Sequence, residues 1–138
     1  MAFQCESCGA TYTDGGSCQG RFDHALALEF TDPEYGTVHH LTVAAFMLQH
    51  DRYSHAGWLA ARSLLSDFVH GHLQPQDARG RSRQTDASIA RPAGFRGFGE
   101  IRWTRTIAEI GFEDAAKYRQ GVRAWAASVL DDSEAAAG

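Results

Sequence analysis

The chain has 138 residues, 43% of them hydrophobic, and a formal net charge of −4. That length supports one domain with a core of its own, so its cysteines are not needed as staples for a tiny fold. The composition excludes a wholly disordered chain, and the acidic balance gives no basis for indiscriminate nucleic-acid binding.

The first stretch, CESCGATYTDGGSC at 5–18, holds all three cysteines of the protein among turn-forming residues. The start of the chain lacks the basic flank and apolar core of a secretory signal, and the longest apolar run, LTVAAFML at 41–48, is too short to span a bilayer. A cytoplasmic location and no membrane partner are therefore expected. In a reducing compartment clustered thiols point to metal or redox chemistry, and an odd count leaves no complete disulfide pairing. Cys5 and Cys8, two residues apart and followed by Gly9, have the form of a knuckle in which both sulfurs reach one Zn2+ at about 2.3 Å. Cys18 returns after nine residues. Zinc takes four ligands, so the cysteines leave one place for a histidine, with His24, His39 and His40 as candidates. The plain alternative is three free thiols. A thioredoxin-like pair is disfavoured because no strand precedes the motif and a third thiol lies nearby.

From Gln19 to Phe30 the residues Phe22, Leu26 and Phe30 recur at helical spacing, which predicts a short amphipathic helix. TDPEYG at 31–36 reads as a turn. Thr37 is placed to cap a second helix over 38–50, apolar on nearly all sides and so central. His39 and His50 open and close it. Eleven residues put them on nearly one stripe but about 16 Å apart along the axis, too far for one ion. His39 shares the inward stripe of Val43, Phe46 and Met47, which favours it over His40 as the fourth ligand. His50, at the C-terminal end where a cation is favoured, reads either as a carbonyl cap or as a functional group, with Gln49 and Tyr53 beside it.

Ser54 is placed to cap a third helix through about Leu73. Residues 74–99 then lose all periodicity. This basic loop carries Arg79, Arg81, Arg83, Arg91 and Arg96 against Asp77 and Asp86. TIAE at 106–109 has the form of a capping box, and Asp114 to Leu130 a last helix with Tyr118, Val122, Trp125, Ala126 and Val129 on one face. The tail 131–138 is expected to fray. No segment alternates as a strand does. The expectation is a single domain over 1–138, mainly α: a small antiparallel helical bundle with a metal-tied N-terminal loop.

CESCGA, Cys18, HHLTVAAFMLQHDRYS and TIAEI…VRAWAASV together resemble a family of small uncharacterised bacterial proteins. Its pattern is a C-x-x-C-G opening, a later cysteine, an H-x-L-T-V…Q-H-P segment and a Trp-Ala pair in the last helix. The matching positions are Cys5, Cys8, Cys18, His39, Gln49, His50 and Trp125. Asp51 stands where that family tends to have proline, which leaves the end of the helix after His50 open. The resemblance implies a metal site and the choice of His39, and no activity.

Three functions follow. The first is a structural zinc domain, with Zn2+ on Cys5, Cys8, Cys18 and His39, acting on an unknown protein partner or small molecule. The second is a zinc enzyme with an open metal position, for which His50, Gln49 and Tyr53 are the catalytic candidates. The third is an anion or nucleic-acid module using the arginine-rich loop. That loop lacks a recognisable DNA or RNA motif and reads more simply as a solvated linker.

Overall fold

The computed structural model describes residues 3–71 and 101–137. The basic loop expected at 74–99 lies outside them. The chain begins with a miniature antiparallel hairpin, β1 (Phe3–Gln4) and β2 (Thr11–Tyr12), in which Phe3 pairs with Tyr12 and Gln4 with Thr11. Helix α1 (Cys18–Thr31) follows, then the single turn α2 (Pro33–Gly36), α3 (His39–Gln49) and α4 (His55–Val69). A 3-10 turn (Ile107–Glu109) leads into the long α5 (Ala115–Ala137).

The helices form where their local chemistry permits. Ser17 caps α1 by accepting the Gly20 N–H, and Ser54 caps α4 by accepting the Gly57 N–H. The capping box at Thr106 and Glu109 is present and closes one 3-10 turn. The turn expected at 31–36 contains α2, because Asp32 accepts the Glu34 N–H and Pro33 sits at a first helical position, where its missing donor costs nothing. Thr37 does not cap the next helix; α3 starts at His39 after Val38, with no side-chain cap. Gly71, at φ +78°, ends the α4 segment short of the expected Leu73 by taking a left-handed conformation suited to glycine.

Helix α3 is the centre of the bundle, as its all-round apolarity requires: Leu41, Ala45, Phe46 and Leu48 are fully buried. It packs on α4 and α5, and α4 also packs on α5. Trp58, Leu65, Tyr118, Val122, Trp125 and Val129 complete the core. The tail 131–138 was expected to fray, yet α5 runs to Ala137. Two anchors hold it: Ser133 is fully buried and donates to the Leu130 carbonyl, and Asp132 accepts the Thr104 N–H at 2.7 Å and its hydroxyl at 3.0 Å.

Gln49 joins three parts of this core. It is 1% exposed, donates to the Arg105 carbonyl at 2.7 Å, and accepts the Trp125 indole N–H at 3.0 Å. Gln49→Ala should therefore leave the buried Trp125 indole N–H unpaired and release the Arg105 carbonyl, at a cost of about 1–3 kcal/mol, read as a lower denaturation midpoint with unchanged slope. A loss under about 1 kcal/mol would show that the clamp is replaceable.

Candidate metal centre

The hairpin turn places the first two thiols. The Cys5 N–H donates to the Ala10 carbonyl at 2.7 Å and the Gly9 N–H to the Cys5 carbonyl at 2.8 Å. Gly9 sits at φ +85°, which a side chain would disfavour. A second reversal, with Gly15 at φ +82° and Asp14 accepting the Gly16 N–H, delivers Cys18 to the first turn of α1. Its sulfur lies 3.5 Å from that of Cys8 and accepts the Tyr12 hydroxyl at 3.1 Å. Two thiolates on one tetrahedral ion stand about 3.7 Å apart at usual zinc–sulfur lengths, so the Cys8–Cys18 pair is already at ligand spacing.

The fourth member is His50. Its ring lies at the C-terminal end of α3, stacked on Phe46 at 4.1 Å between centroids, and Nδ1 meets the Phe46 carbonyl at 2.7 Å. A carbonyl only accepts, so Nδ1 carries the proton and Nε2 the lone pair. Nε2 is buried and has no hydrogen-bond partner. One ligand atom from each of Cys5, Cys8, Cys18 and His50 falls within 4.8 Å of all the others. Among the described residues this set could hold a metal ion. The donor set, three soft sulfurs and an imidazole whose other nitrogen is fixed by a carbonyl, fits the group that the cysteine spacing implies.

Asp51 then turns the chain away in a left-handed conformation, φ +54°. Proline, fixed near −65°, cannot adopt it. Asp is among the residues that tolerate this region best.

Electrostatics separate the buried thiols. The hydrogen bond from Cys8 holds Cys18 down at about 4, aided by the Tyr12 hydroxyl and opposed by burial. Cys8 is pushed far above the ordinary thiol range, first by that same bond and then by burial. Tyr12 is also raised, first by burial and then by its bond to Cys18, so it remains a phenol donor. The N-terminus of α1 favours the thiolate as well.

Other sequence candidates go elsewhere. His39 does not join the thiols: its Nδ1 meets Glu29 Oε1 at 2.8 Å. The reason is the direction of the helices. α1 and α3 are antiparallel, so Cys18 at the start of α1 meets His50 at the end of α3, Phe22 stacks on Phe46 in the middle at 4.0 Å, and Glu29 near the end of α1 meets His39 at the start of α3. His40 lies beside His39, with ring centroids 5.2 Å apart, and His24 lies against Phe112 at 4.7 Å. Of the catalytic candidates, His50 stands in the Cys/His cluster, Gln49 in the core clamp, and Tyr53 is 4% exposed within the core. Sequence reading passed over His50 as a ligand, although its distance from His39 already assigned the two rings to opposite ends.

The metal-free protein should keep one thiolate at neutral pH. Cys18 is depressed from an ordinary value of 9.0 to about 4, so the folded state binds fewer protons than the unfolded between those limits. Its contribution to stability is full above about 9 and lost as pH falls toward about 4. Cys8 is raised, so its contribution is lost as pH climbs above about 9. Thiolate absorbance of the metal-free protein should fall with a midpoint near 4; a midpoint near 9, the ordinary value, would contradict the arrangement.

No curated protein and no solved structure matches this chain. Residues 3–134 match a family described as a family of unknown function (DUF5946). That span contains all four residues of the cluster and every helix core described above, and the chain belongs to this family.

Proposed function

We propose that the protein is a zinc-binding helical domain in which Zn2+ on Cys5, Cys8, Cys18 and His50 has a structural role. The observation that carries this is the His50 ring: a buried Nε2 with no hydrogen-bond partner, set against three thiols. An orphaned buried acceptor is costly, and an ion in the same space removes that cost. Three thiolates with one imidazole favour zinc over harder divalent ions.

The structural role rests on ligand number and on what the ligands join. Four protein ligands close a tetrahedron and leave no place for water or substrate, which distinguishes a structural zinc from a catalytic one. The ligands come from the hairpin, the first turn of α1 and the end of α3. Two-residue strands cannot hold themselves, so the ion would fix the hairpin to the bundle. When bound, the metal supplies cross-linking energy rather than Lewis-acid chemistry.

A cleft of about 1020 Å³ opens beside this hairpin, with Glu6, Thr11, Asp51, Arg102, Trp103 and Glu109 among its walls. We place the binding of a small molecule or a segment of a protein partner there. Zinc would act on that binding indirectly, by holding the hairpin wall in place.

Purified protein should carry about one zinc per chain. Cys8→Ser and His50→Ala should each lower zinc retention and depress Tm by roughly 5–10 °C, the size expected for a loss of about 2–3 kcal/mol in a chain of this length. His39→Ala should keep its zinc. Cobalt substitution should give a four-coordinate spectrum unaffected by added anions. Wild-type protein whose Tm does not fall when its metal is removed by a chelator, or full zinc retention in His50→Ala, would overturn the reading.

A further inference from the structure

We propose that His39 and His40, in the first turn of α3, form a second metal site, separate from the cysteine centre, for a divalent ion of the Zn2+, Ni2+ or Cu2+ class.

Glu29 is the first reason. Its side chain is 1% exposed, yet it carries a carboxylate in the core, an arrangement that is costly unless every lone pair is used. Three donors converge on it: His39 Nδ1 at 2.8 Å, the Thr42 hydroxyl at 2.6 Å, and the Tyr118 hydroxyl. Burial and the bond to Glu29 raise Tyr118, which keeps it a donor. A carboxylate only accepts, so His39 holds a proton on Nδ1. In the neutral ring the lone pair lies on Nε2, on a side chain that is 32% exposed. A buried carboxylate fixing one imidazole nitrogen so that the other can ligate is the usual support of a metal-bound histidine.

The second reason is His40. Its ring meets that of His39 at a centroid distance of 5.2 Å and an interplanar angle of 66°. Two imidazoles bound to one ion at about 2.0–2.1 Å with a tetrahedral angle have centroids about 5 Å apart. The distance between the two rings thus permits a shared ion. Two imidazole ligands suit borderline first-row ions, with Cu2+ held most tightly. Two protein ligands leave coordination positions for water or an external ligand, and the exposed ring of Phe30, 5.7 Å from His39, borders that opening. This site lies at the far end of α3 from His50, about 16 Å along the axis, so the two sites can be filled separately.

The test is calorimetric titration of the zinc-loaded protein with Ni2+ at neutral pH. One further ion per chain should bind with zinc retained, and paramagnetic broadening should appear at the amides of 39–41 and not at those of 5, 8 and 18. His39→Asn and His40→Asn should each weaken Ni2+ binding at least tenfold. Glu29→Gln should weaken it about 10- to 100-fold, the effect expected when the group orienting a ligand is lost. If Glu29→Gln does not fold, the two half-exposed histidine variants, checked by thermal melting, decide alone. Absence of a second ion, or unchanged affinity in folded His39→Asn and His40→Asn, would overturn the proposal.

Discussion

The antiparallel pairing of α1 with α3 is the constraint on which the rest of this structure depends. Its midpoint is the face-to-face stack of Phe22 on Phe46, nearly parallel at an interplanar angle of 2°. From there, residue numbers rise along one helix as they fall along the other. Cys18 is carried to His50 at one end, and Glu29 to His39 at the other. Both polar groupings are consequences of one packing register, and neither can be moved without the other. Arg21 ties the same helix to the segment before α5, donating to the Ile107 carbonyl at 2.9 Å and to the Ile110 carbonyl.

Each end of the pair uses the helix termini. Cys18 lies in the first turn of α1, where unpaired N–H groups and the helix dipole favour a negative sulfur. His50 is the C-terminal cap residue of α3: its backbone N–H donates to the Phe46 carbonyl at 3.1 Å. Ring Nδ1 meets the same carbonyl, which leaves Nε2 facing the thiols. The left-handed Asp51 that follows, at φ +54°, takes the backbone away at once, so the ring is not dragged into the α3–α4 connection. A non-glycine residue in that region is uncommon, and here it stands beside the candidate metal centre, where such strain tends to collect.

The opposite end is chemically different. Glu29 brings a carboxylate into an apolar core, and Thr42, Tyr118 and His39 from two other helices satisfy it. Such a network joins α1, α3 and α5 by direction-specific bonds, which apolar packing alone does not provide. Gln49 does the same on the far side of α3, linking it to Arg105 and Trp125. The central helix is thus held by apolar contact over most of its surface and by oriented polar clamps at its two ends.

Much of this was legible in the sequence, for local reasons. The spacing of Cys5, Cys8 and Gly9 marked a metal knuckle, because sulfur reach and turn geometry depend on neighbours only. The all-round apolarity of 41–48 marked α3 as central, and the Ser54 cap and the Thr106–Glu109 capping box follow from side chains a few residues apart. The fold class was legible for the same reason: helical periodicity is a property of single segments. The choice of the fourth cluster member was not. His39 and His50 share a stripe of one helix, and periodicity cannot say which end of that stripe meets the hairpin. That depends on the direction of α1 against α3, fixed by contacts between residues 10 to 32 positions apart. The hairpin itself was missed because two-residue strands carry no alternation. The bond that ties Asp132 to Thr104 joins residues 28 positions apart, which no local pattern shows. Composition and spacing determined the kinds of ligand and the helices that carry them; tertiary packing decided which ligands meet, because only packing sets the relative direction of two helices.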